Sequence, residues 1–405
     1  MGATMLEARR APLAPAPLTL TLVATCARGL EEVLRDELVA LGHAEAETGR
    51  GVVRFAGPFA AVARANLWLR TAMRVVWQLV EGPADDRQTL YGLAASIAWE
   101  DLLRRGQTIA VETVGRAPAF RNTTFASLTV KDAIVDRLRE RWGMRPDVNR
   151  DEPDIRIHVH LDDARAGIGL DASGEPLSHR GYRPRGGPAP LSESLAAALL
   201  LLAGYDGSQP LWDPFCGTGT IAIEAALFAT GRAPGLMRRF ACERWTLFDA
   251  RVLDEMRAQA RVRVRPAVAR IVASDRDPRA VAATRRNARA AAVDAVVEVE
   301  RRDARALALP EAGWLIVSNP PYGVRVGGTD ELAALYRGLG DALKRTCAGN
   351  TAWLLVGNPA LVKEVGLRPS RRVVLFNGPI ECRLLRYDLF AGSRRGTRTD
   401  GLARS

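Results

Sequence analysis

The beginning of the chain alternates between β-prone runs and segments with helical periodicity. A run from Leu18 to Ala24 leads into residues 30–41, whose apolar side chains fall on one helical face: Leu30, Val33, Leu34, Leu38 and Leu41. Two short strands, a second helix and a strand ending near Val80 complete the order β-α-β-β-α-β. This order predicts a ferredoxin-like domain over residues 18–82, after a leader at residues 1–17 that we expect to be disordered.

A second block, residues 83–171, has a different order of elements. Its pattern predicts a helical start, a strand, a long helix Phe125–Trp142 and two closing strands. Asn122 or Thr123 is suited to cap the long helix, because both residue types accept hydrogen bonds from the first free N–H groups.

Arginines that can contact phosphate lie at two places in these segments. Arg116 and Arg121 flank the turn before the long helix, where they can act with the helix N-terminus. A Gly-, Pro- and Arg-rich connector, residues 172–190, carries Arg180 and Arg183 around one tyrosine, which suits backbone contact with a stacked base. Solvated arginines on a loop and a plain basic linker are the alternatives.

After residue 190, apolar strands alternate with amphipathic helices. Runs such as Ile271–Ser274 and Leu315–Ser318 are typical of strands that are buried on both faces. The alternation predicts an α/β domain with a parallel, doubly wound, Rossmann-like sheet over residues 191–390. Residues 391–405 form an Arg-rich tail without periodicity.

The first strand end of this sheet carries a glycine-containing loop, Asp213–Thr220. Gly217 and Gly219 allow a ligand to approach the backbone, and Thr218 or Thr220 can cap the helix that follows. No Lys-Ser/Thr pair follows the glycines, which excludes a Walker loop, and the third glycine of a nicotinamide-binding fingerprint is absent.

Acidic residues follow three strands in succession, at the sheet edge where ligands of open α/β sheets bind. Asp213 can receive an ammonium, Asp275 can accept from both ribose hydroxyls, and Asp303 can accept from an adenine amino group. Each acid alone could be a helix cap. Together they match S-adenosylmethionine, which has a ribose and a positive group but no pyrophosphate.

The apolar run Trp314–Val317, part of the fourth strand, is followed by Ser318–Gly323, with the sequence Ser-Asn-Pro-Pro-Tyr-Gly. An amide, two rigid prolines and an aromatic ring suit a flat ligand that carries an amine, such as a nucleobase. An ordinary proline-rich turn is the alternative.

The charge adds a prediction about partners. The 405 residues carry a formal net charge of +11, which favours a polyanionic partner such as nucleic acid. Only three of the 57 basic residues are lysines, a skew that can also reflect genome composition.

The remaining composition limits the class of protein. No apolar run reaches membrane-spanning length, so we expect no contact with a membrane. The five cysteines are scattered without a CxxC pair and the four histidines form no cluster, so we expect a cytoplasmic protein without a metal. The pattern leaves the oligomeric state open.

These residues resemble class I methyltransferases that modify exocyclic amines, whose hallmark is Asn/Asp-Pro-Pro-Tyr/Phe after the fourth strand. From about Leu18 to Phe390 the chain more closely resembles the THUMP-domain RNA guanine-N2 methyltransferases of the RlmL type. The matching segments are Val130–Ile134, His179–Arg183, Glu193–Ala196, Asp213–Thr220, the insertion from Ala233–Leu236 through Glu243 and Trp245, Asn319–Gly323 and Asn377–Leu384. Ser192 and Val324 depart from the family, which has a lysine and frequently a glutamate there.

The resemblance implies three sets of site residues. The cofactor, S-adenosylmethionine, would be bound by Glu193, Asp213, Phe215, Gly217, Gly219, Thr220, Asp275, Asp303 and Asn319. The catalytic loop would consist of Asn319, Pro320, Pro321 and Tyr322. RNA would be contacted by Arg116, Arg121, Lys131, Arg180 and Arg183.

The resemblance also implies a reaction, methylation of the N2 amine of a guanine in RNA, with large-subunit ribosomal RNA as the first choice of substrate. It makes residues 83–171 a THUMP RNA-binding domain. Transfer RNA is the alternative substrate; an adenine-N6 methyltransferase and a non-catalytic RNA-binding assembly protein are more distant. Some family members carry a second, C-terminal methyltransferase domain, which we expect this chain to lack.

Overall fold

The structure, a computed structural model, describes residues 19–184, 191–309, 311–323 and 329–391. The predicted leader at residues 1–17, most of the Arg-rich tail and Val324 lie outside the described residues. Within those ranges, no helix is both long enough and apolar enough to cross a lipid bilayer.

The first block has the predicted order of strands and helices. Its elements are β1 (Leu20–Thr25), α1 (Glu31–Ala40), β2 (Glu47–Gly49), β3 (Val52–Gly57), α2 (Phe59–Trp68) and β4 (Arg74–Pro83). The apolar face predicted for the first helix is directed inward, and Leu34 and Leu38 are fully buried.

The second block contains one long helix and several strands. Its elements are α3 (Arg87–Ala95), α4 (Trp99–Leu102), β5 (Thr108–Arg116), α5 (Thr123–Trp142), β6 (Asp147–Val148), β7 (Ile155–Asp162) and β8 (Arg165–Asp171). Of the two predicted caps for α5, Asn122 is the one observed, since its Oδ1 accepts a hydrogen bond of 2.8 Å from the Phe125 N–H.

The two blocks share one eight-stranded sheet, in the order β2-β3-β1-β4-β8-β7-β5-β6. The sequence predicted a boundary between residues 82 and 83, but β4 continues to Pro83, which lies opposite Arg165 of β8. A proline at the last position of a strand removes only one donor from the ladder, so the strand tolerates it. The first two blocks are therefore joined along a strand pair.

The third block is the predicted doubly wound domain. Its elements are α6 (Glu193–Leu202), β9 (Leu211–Asp213), α7 (Thr220–Ala229), α8 (Ala250–Val262), β10 (Ile271–Asp275), α9 (Pro278–Ala290), β11 (Val297–Arg301), β12 (Leu315–Ser318), α10 (Thr329–Thr346), β13 (Thr351–Val356), α11 (Pro359–Glu364), β14 (Arg371–Asn377) and β15 (Ile380–Asp388). The short helix α11 was not predicted.

The sheet of this third block has the order β11-β10-β9-β12-β13-β15-β14. The first five strands are parallel, and β15 is antiparallel to both of its neighbours. Helices cover both faces, so the side chains of Leu315, Ile316 and Val317 are all buried. The predicted fold class is confirmed.

The connector after β8 differs from the prediction. Arg180 is only 2% exposed: its guanidinium donates to the carbonyls of Leu177 and Arg70 and to the Glu224 carboxylate. The Tyr182 hydroxyl donates to the same carboxylate, at 3.1 Å. The predictions that Arg180 contacts RNA and that Tyr182 stacks on a base are therefore wrong, because both side chains are buried between the first and third blocks. Residues 185–190 lie outside the described part.

We expect Arg180→Ala to lower the free energy of unfolding by about 3 kcal/mol, since it leaves the buried Glu224 carboxylate without its cation. Urea denaturation measures this change. Arg251→Ala is the matched control, because Arg251 also pairs with a carboxylate, that of Asp249, but is 86% exposed. The control should leave the unfolding midpoint unchanged, and equal effects of the two substitutions would contradict a structural role of Arg180.

Candidate active site

The candidate site lies where the central parallel strands end. Because β10, β9 and β12 are neighbours in the sheet, Asp275, Asp213 and Ser318, the last residues of these strands, lie at one edge. Asp303 follows β11, the strand beyond β10. The structure thus brings the three predicted acids and the Asn-Pro-Pro-Tyr loop to the same edge of the sheet.

The glycine loop between β9 and α7 is open toward this edge. Gly217 has a φ of +54°, and no other atom lies within 4 Å of where its Cβ would be. Gly219 has a φ of +85°, and a Cβ there would lie 2.6 Å from Thr284 Cγ2. Glycine is needed at Gly219 for both backbone and space, while at Gly217 it leaves room for a ligand.

The predicted threonine cap of α7 is absent. Gly219 occupies the cap position and no side chain caps the helix, so the prediction that Thr218 or Thr220 does so is wrong. The Thr220 side chain is instead buried, and its hydroxyl accepts a hydrogen bond of 3.2 Å from Arg183. The first N–H groups of α7 therefore have no side-chain partner within the described residues, as expected of a helix N-terminus that receives a ligand.

Asp213 is 1% exposed and connects two loops of the site. Its Oδ1 accepts hydrogen bonds from the Ser318 hydroxyl and, at 3.2 Å, from the Phe215 N–H. Burial raises the pKa of Asp213 to about 7, and the nearby Asp275 charge acts in the same direction. This carboxyl is therefore poised to change protonation near neutral pH.

Asp275 holds the glycine loop in place. Its Oδ2 accepts a hydrogen bond of 3.1 Å from the Gly217 N–H, and its Oδ1 accepts one of 2.9 Å from the Asp277 N–H. The side chain is half-buried, so each oxygen keeps a lone pair that can accept from a ribose hydroxyl.

Asp303 is already paired with an arginine. Its two oxygens accept from Arg305 Nε and Nη2 at 2.6 to 3.1 Å, and these hydrogen bonds lower the pKa of Asp303. An adenine amino group would have to share these oxygens with Arg305. A cleft of about 320 Å³ lies beside this pair and is lined by Arg276, Arg305, Pro321, Glu331, Leu332, Ala334 and Leu335.

The loop after β12 contains a polar atom without a partner. Asn319 Oδ1 is buried, and among the described residues it accepts no hydrogen bond. A buried acceptor without a donor costs about 1 to 3 kcal/mol, so this atom can favourably accept a hydrogen bond from a bound ligand. Pro320, which is also buried, follows directly.

Tyr322 closes this loop as a half-buried ring. Its hydroxyl accepts a hydrogen bond of 2.8 Å from Asn377 Nδ2, and burial raises the pKa of the phenol. One edge of the ring packs closely against Gly357.

Arg183, predicted to contact RNA, lies beside the glycine loop instead. Its guanidinium donates to the Glu193 carboxylate at 2.8 Å, to the Thr220 hydroxyl and to the Leu191 carbonyl. Burial raises the pKa of Glu193, and the charge of Arg183 opposes this shift. The prediction that Arg183 contacts RNA is therefore wrong, because its N–H groups donate to residues of the chain itself. Arg183 instead supports the glycine loop.

The other predicted RNA contacts lie on the surface of the second block. Arg116 and Arg121 are exposed on either side of the turn before α5. Lys131, on α5 itself, is 31% exposed and pairs with Asp132 at 2.6 Å. Their accessibility agrees with a role in RNA contact, which stays a prediction.

Three residues that support the site were not predicted: Ser318 as a donor to Asp213, and Gly357 and Asn377 as neighbours of Tyr322. A hydroxyl at the end of the apolar run Leu315–Val317 was a signal for Ser318. For Asn377 the only signal in the sequence was its position in a segment that matches the family, and for Gly357 there was none. Strand pairing, which the sequence does not reveal, brings both residues to the site.

Models of known families match most of the chain. They are described as an RMKL-like methyltransferase domain at residues 180–386, an RlmL ferredoxin-like domain at residues 21–76 and a THUMP domain at residues 84–171. These matches correspond to the three blocks of the fold.

Curated relatives carry names that refer to ribosomal RNA. A ribosomal RNA large subunit methyltransferase K/L from Syntrophotalea carbinolica is 41% identical, with 90% of this chain and 53% of the relative covered. The protein of the same name from Pseudomonas aeruginosa is 38% identical, with 95% and 55% covered. The chain therefore spans about half the length of these relatives.

A solved structure has a similar overall fold. The putative methyltransferase SMU.472, complexed with SAH (S-adenosylhomocysteine), is 29% identical with a TM-score of 0.82, and the match covers 93% of this chain and 99% of that one. The family model that matches residues 180–386 and the relative that is 41% identical show that the chain belongs to the RMKL-like methyltransferase family.

Proposed function

We propose that this chain transfers a methyl group from S-adenosylmethionine to the N2 amine of a guanine in large-subunit ribosomal RNA. The observation that carries the proposal is the buried Asn319 Oδ1, an acceptor without a partner among the described residues, beside the strand ends that carry Asp213 and Asp275. The names of the curated relatives support ribosomal RNA as the substrate.

The described residues fit S-adenosylmethionine. Open space beside Gly217 and the free N-terminus of α7 suit close approach of the amino-acid part. Asp213 would receive its ammonium, and the lone pairs of Asp275 would accept from the ribose hydroxyls. The cleft lined by Arg276, Arg305 and Pro321 is apolar on one side and suits adenine. When bound, this cofactor supplies an electrophilic methyl group on a sulfonium.

The Asn319 loop would orient the amine that accepts the methyl group. The lone pair of a guanine N2 amine is delocalised into the ring, so the nitrogen is a weak nucleophile. Asn319 Oδ1 and the Pro320 carbonyl would accept its two N–H groups, which favours a pyramidal nitrogen as the new bond forms. Because the amine can lose its proton after the attack, the chain needs no strong base.

Tyr322 would hold the base in place by stacking, after the base has left its helix or loop. Pro320 and Pro321 fix φ on both sides of the acceptor groups, so little ordering entropy is lost on binding. Arg116, Arg121 and Lys131 would contact the RNA backbone, and the second block would thereby deliver the nucleotide to the third.

The direct test is incubation of the purified chain with S-adenosylmethionine and either large-subunit ribosomal RNA or transfer RNA, followed by mass spectrometry of nucleosides. We expect N2-methylguanosine in the ribosomal RNA. N2-methylguanosine in transfer RNA alone would support the alternative substrate, and N6-methyladenosine would refute guanine as the target base.

Asn319→Ala should lower methyl transfer by at least about a hundredfold, since it removes an acceptor that acts on the amine during bond formation. Calorimetry with S-adenosylhomocysteine should show that cofactor binding survives, because Asn319 is only one of the residues expected to hold the cofactor. Asn319→Asp is the matched variant, because a carboxylate oxygen still accepts the N–H group, and it should lose less activity. Unchanged transfer by Asn319→Ala would refute the role of Asn319.

Cofactor affinity should depend on pH through Asp213. The pKa of this carboxyl is raised to about 7, so it is protonated below pH 7, whereas an ammonium prefers the carboxylate. Binding must then release a proton, and affinity should fall about tenfold per pH unit below 7 and stay level above it.

Calorimetry with S-adenosylhomocysteine measures this profile. The range is pH 5.5 to 8.5, roughly 1.5 units either side of that pKa. Asp213→Asn should make it flat. Asp249→Asn is the control, because this exposed carboxylate has a pKa lowered by Arg251 and should leave the profile as it is. A profile that persists in Asp213→Asn would contradict the assignment to Asp213.

A further inference from the structure

The edge strand of the third block's sheet ends beside the Asn-Pro-Pro-Tyr loop. β14 is the last strand in the order, and its final residue, Asn377, donates from Nδ2 to the Tyr322 hydroxyl at 2.8 Å. The two residues are 55 positions apart in the sequence. Since the amide is the donor, the phenol oxygen accepts, and the phenol can direct its own proton to the neighbouring Cys382 Sγ.

Gly357 restricts the ring from another direction. A Cβ at this position would lie 2.6 Å from Tyr322 Cδ2 and 2.7 Å from Cε2. Gly357 is not among the glycines with positive φ, so what requires glycine here is space and not backbone conformation. The end of β13 therefore fixes where the ring lies, and the Asn377 amide fixes the direction of its hydroxyl.

The strand that carries Asn377 is in turn supported by the first block. A Cβ at Gly29 would lie 2.9 Å from the Val374 carbonyl oxygen, so the loop after β1 passes close to β14. The Arg28 guanidinium lies 5.5 Å from the centre of the Phe376 ring. A continuous set of contacts thus runs from the first block through β14 to Tyr322.

We propose that Asn377 is a positioning residue for the reaction: together with Gly357 it holds the Tyr322 ring at the height and angle at which a stacked base presents its amine to Asn319. The inference rests on the proposed function and adds a residue from the far edge of the sheet. Asn377 does not touch the reacting atoms, and it acts through the phenol, so its effect depends on the Tyr322 hydroxyl being present.

A double-mutant cycle of Asn377→Ala, Tyr322→Phe and the double variant tests this dependence. Each single substitution should lower kcat for RNA methylation roughly three- to tenfold, as expected for loss of one hydrogen bond, with the KM for RNA nearly unchanged. The double variant should lose no more than either single variant. S-adenosylhomocysteine should bind all variants with the stoichiometry of the unaltered chain, which excludes partial unfolding.

The inference would be overturned if the loss of kcat in the double variant equalled the product of the two single losses. Full activity of Asn377→Ala would overturn it as well. Gly357→Ala should lower kcat further, because it displaces the ring itself. Gly92→Ala is its matched control, since no atom lies within 4 Å of a Cβ at that helical glycine, and it should keep full activity.

Fluorine NMR of the chain labelled with 3-fluorotyrosine separates failure of this inference from failure of the proposed function. The chain has six tyrosines, so the Tyr322 resonance is identified by its absence in Tyr322→Phe. Asn377→Ala should shift this resonance even without RNA, and an unshifted resonance would overturn the inference. If the unaltered chain methylates no RNA while Asn377→Ala still shifts the Tyr322 resonance, only the proposed function is refuted.

Discussion

The hydrogen bond from the Ser318 hydroxyl to the buried Asp213 carboxyl joins the two halves of the site, because each residue is the last of its strand. The glycine loop begins directly after Asp213 and the Asn-Pro-Pro-Tyr loop directly after Ser318. The Phe215 N–H lies within hydrogen-bonding distance of both groups, at 3.2 Å from Asp213 Oδ1 and 3.3 Å from Ser318 Oγ. Hydrogen bonds in such a buried network are strong when every group has a partner. The network therefore holds the ends of β9 and β12, and with them the two loops, at a fixed spacing.

The many arginines of the chain serve two physical purposes. Some are exposed and contribute to the net charge of +11, which attracts a polyanion. Others are buried in the protein: Arg180 bonds to two carbonyls and the Glu224 carboxylate, and Arg257 pairs with Glu243 at 2.8 Å. The planar guanidinium suits such sites, since several fixed donors can be satisfied at once. Net charge alone therefore does not locate an RNA-binding surface.

The sequence allowed the fold class to be predicted because apolar periodicity reports which faces are buried, and the strand ends could be read from the acids that follow them. It failed for Arg180 and Tyr182, which looked like parts of an exposed basic linker. Their common partner, Glu224, is more than 40 residues away in the chain, at a separation of 44 for Arg180. The contact between Asn377 and Tyr322 depends in the same way on the strand order β13-β15-β14, in which the last two strands run antiparallel.

The choice between amines cannot come from the two acceptors of the Asn319 loop. An amide oxygen and a backbone carbonyl accept two N–H groups equally well from adenine N6 and from guanine N2. The two bases differ in where the amine lies relative to the rest of the ring, so the position of the stacking surface decides which amine reaches the acceptors. In this chain the Tyr322 ring is placed by Gly357 and Asn377, outside the Asn-Pro-Pro-Tyr sequence. Under the proposed function, selectivity for a base depends on the strands that surround the loop as well as on the loop itself, and one of them, β14, also contacts the first block at Arg28 and Gly29.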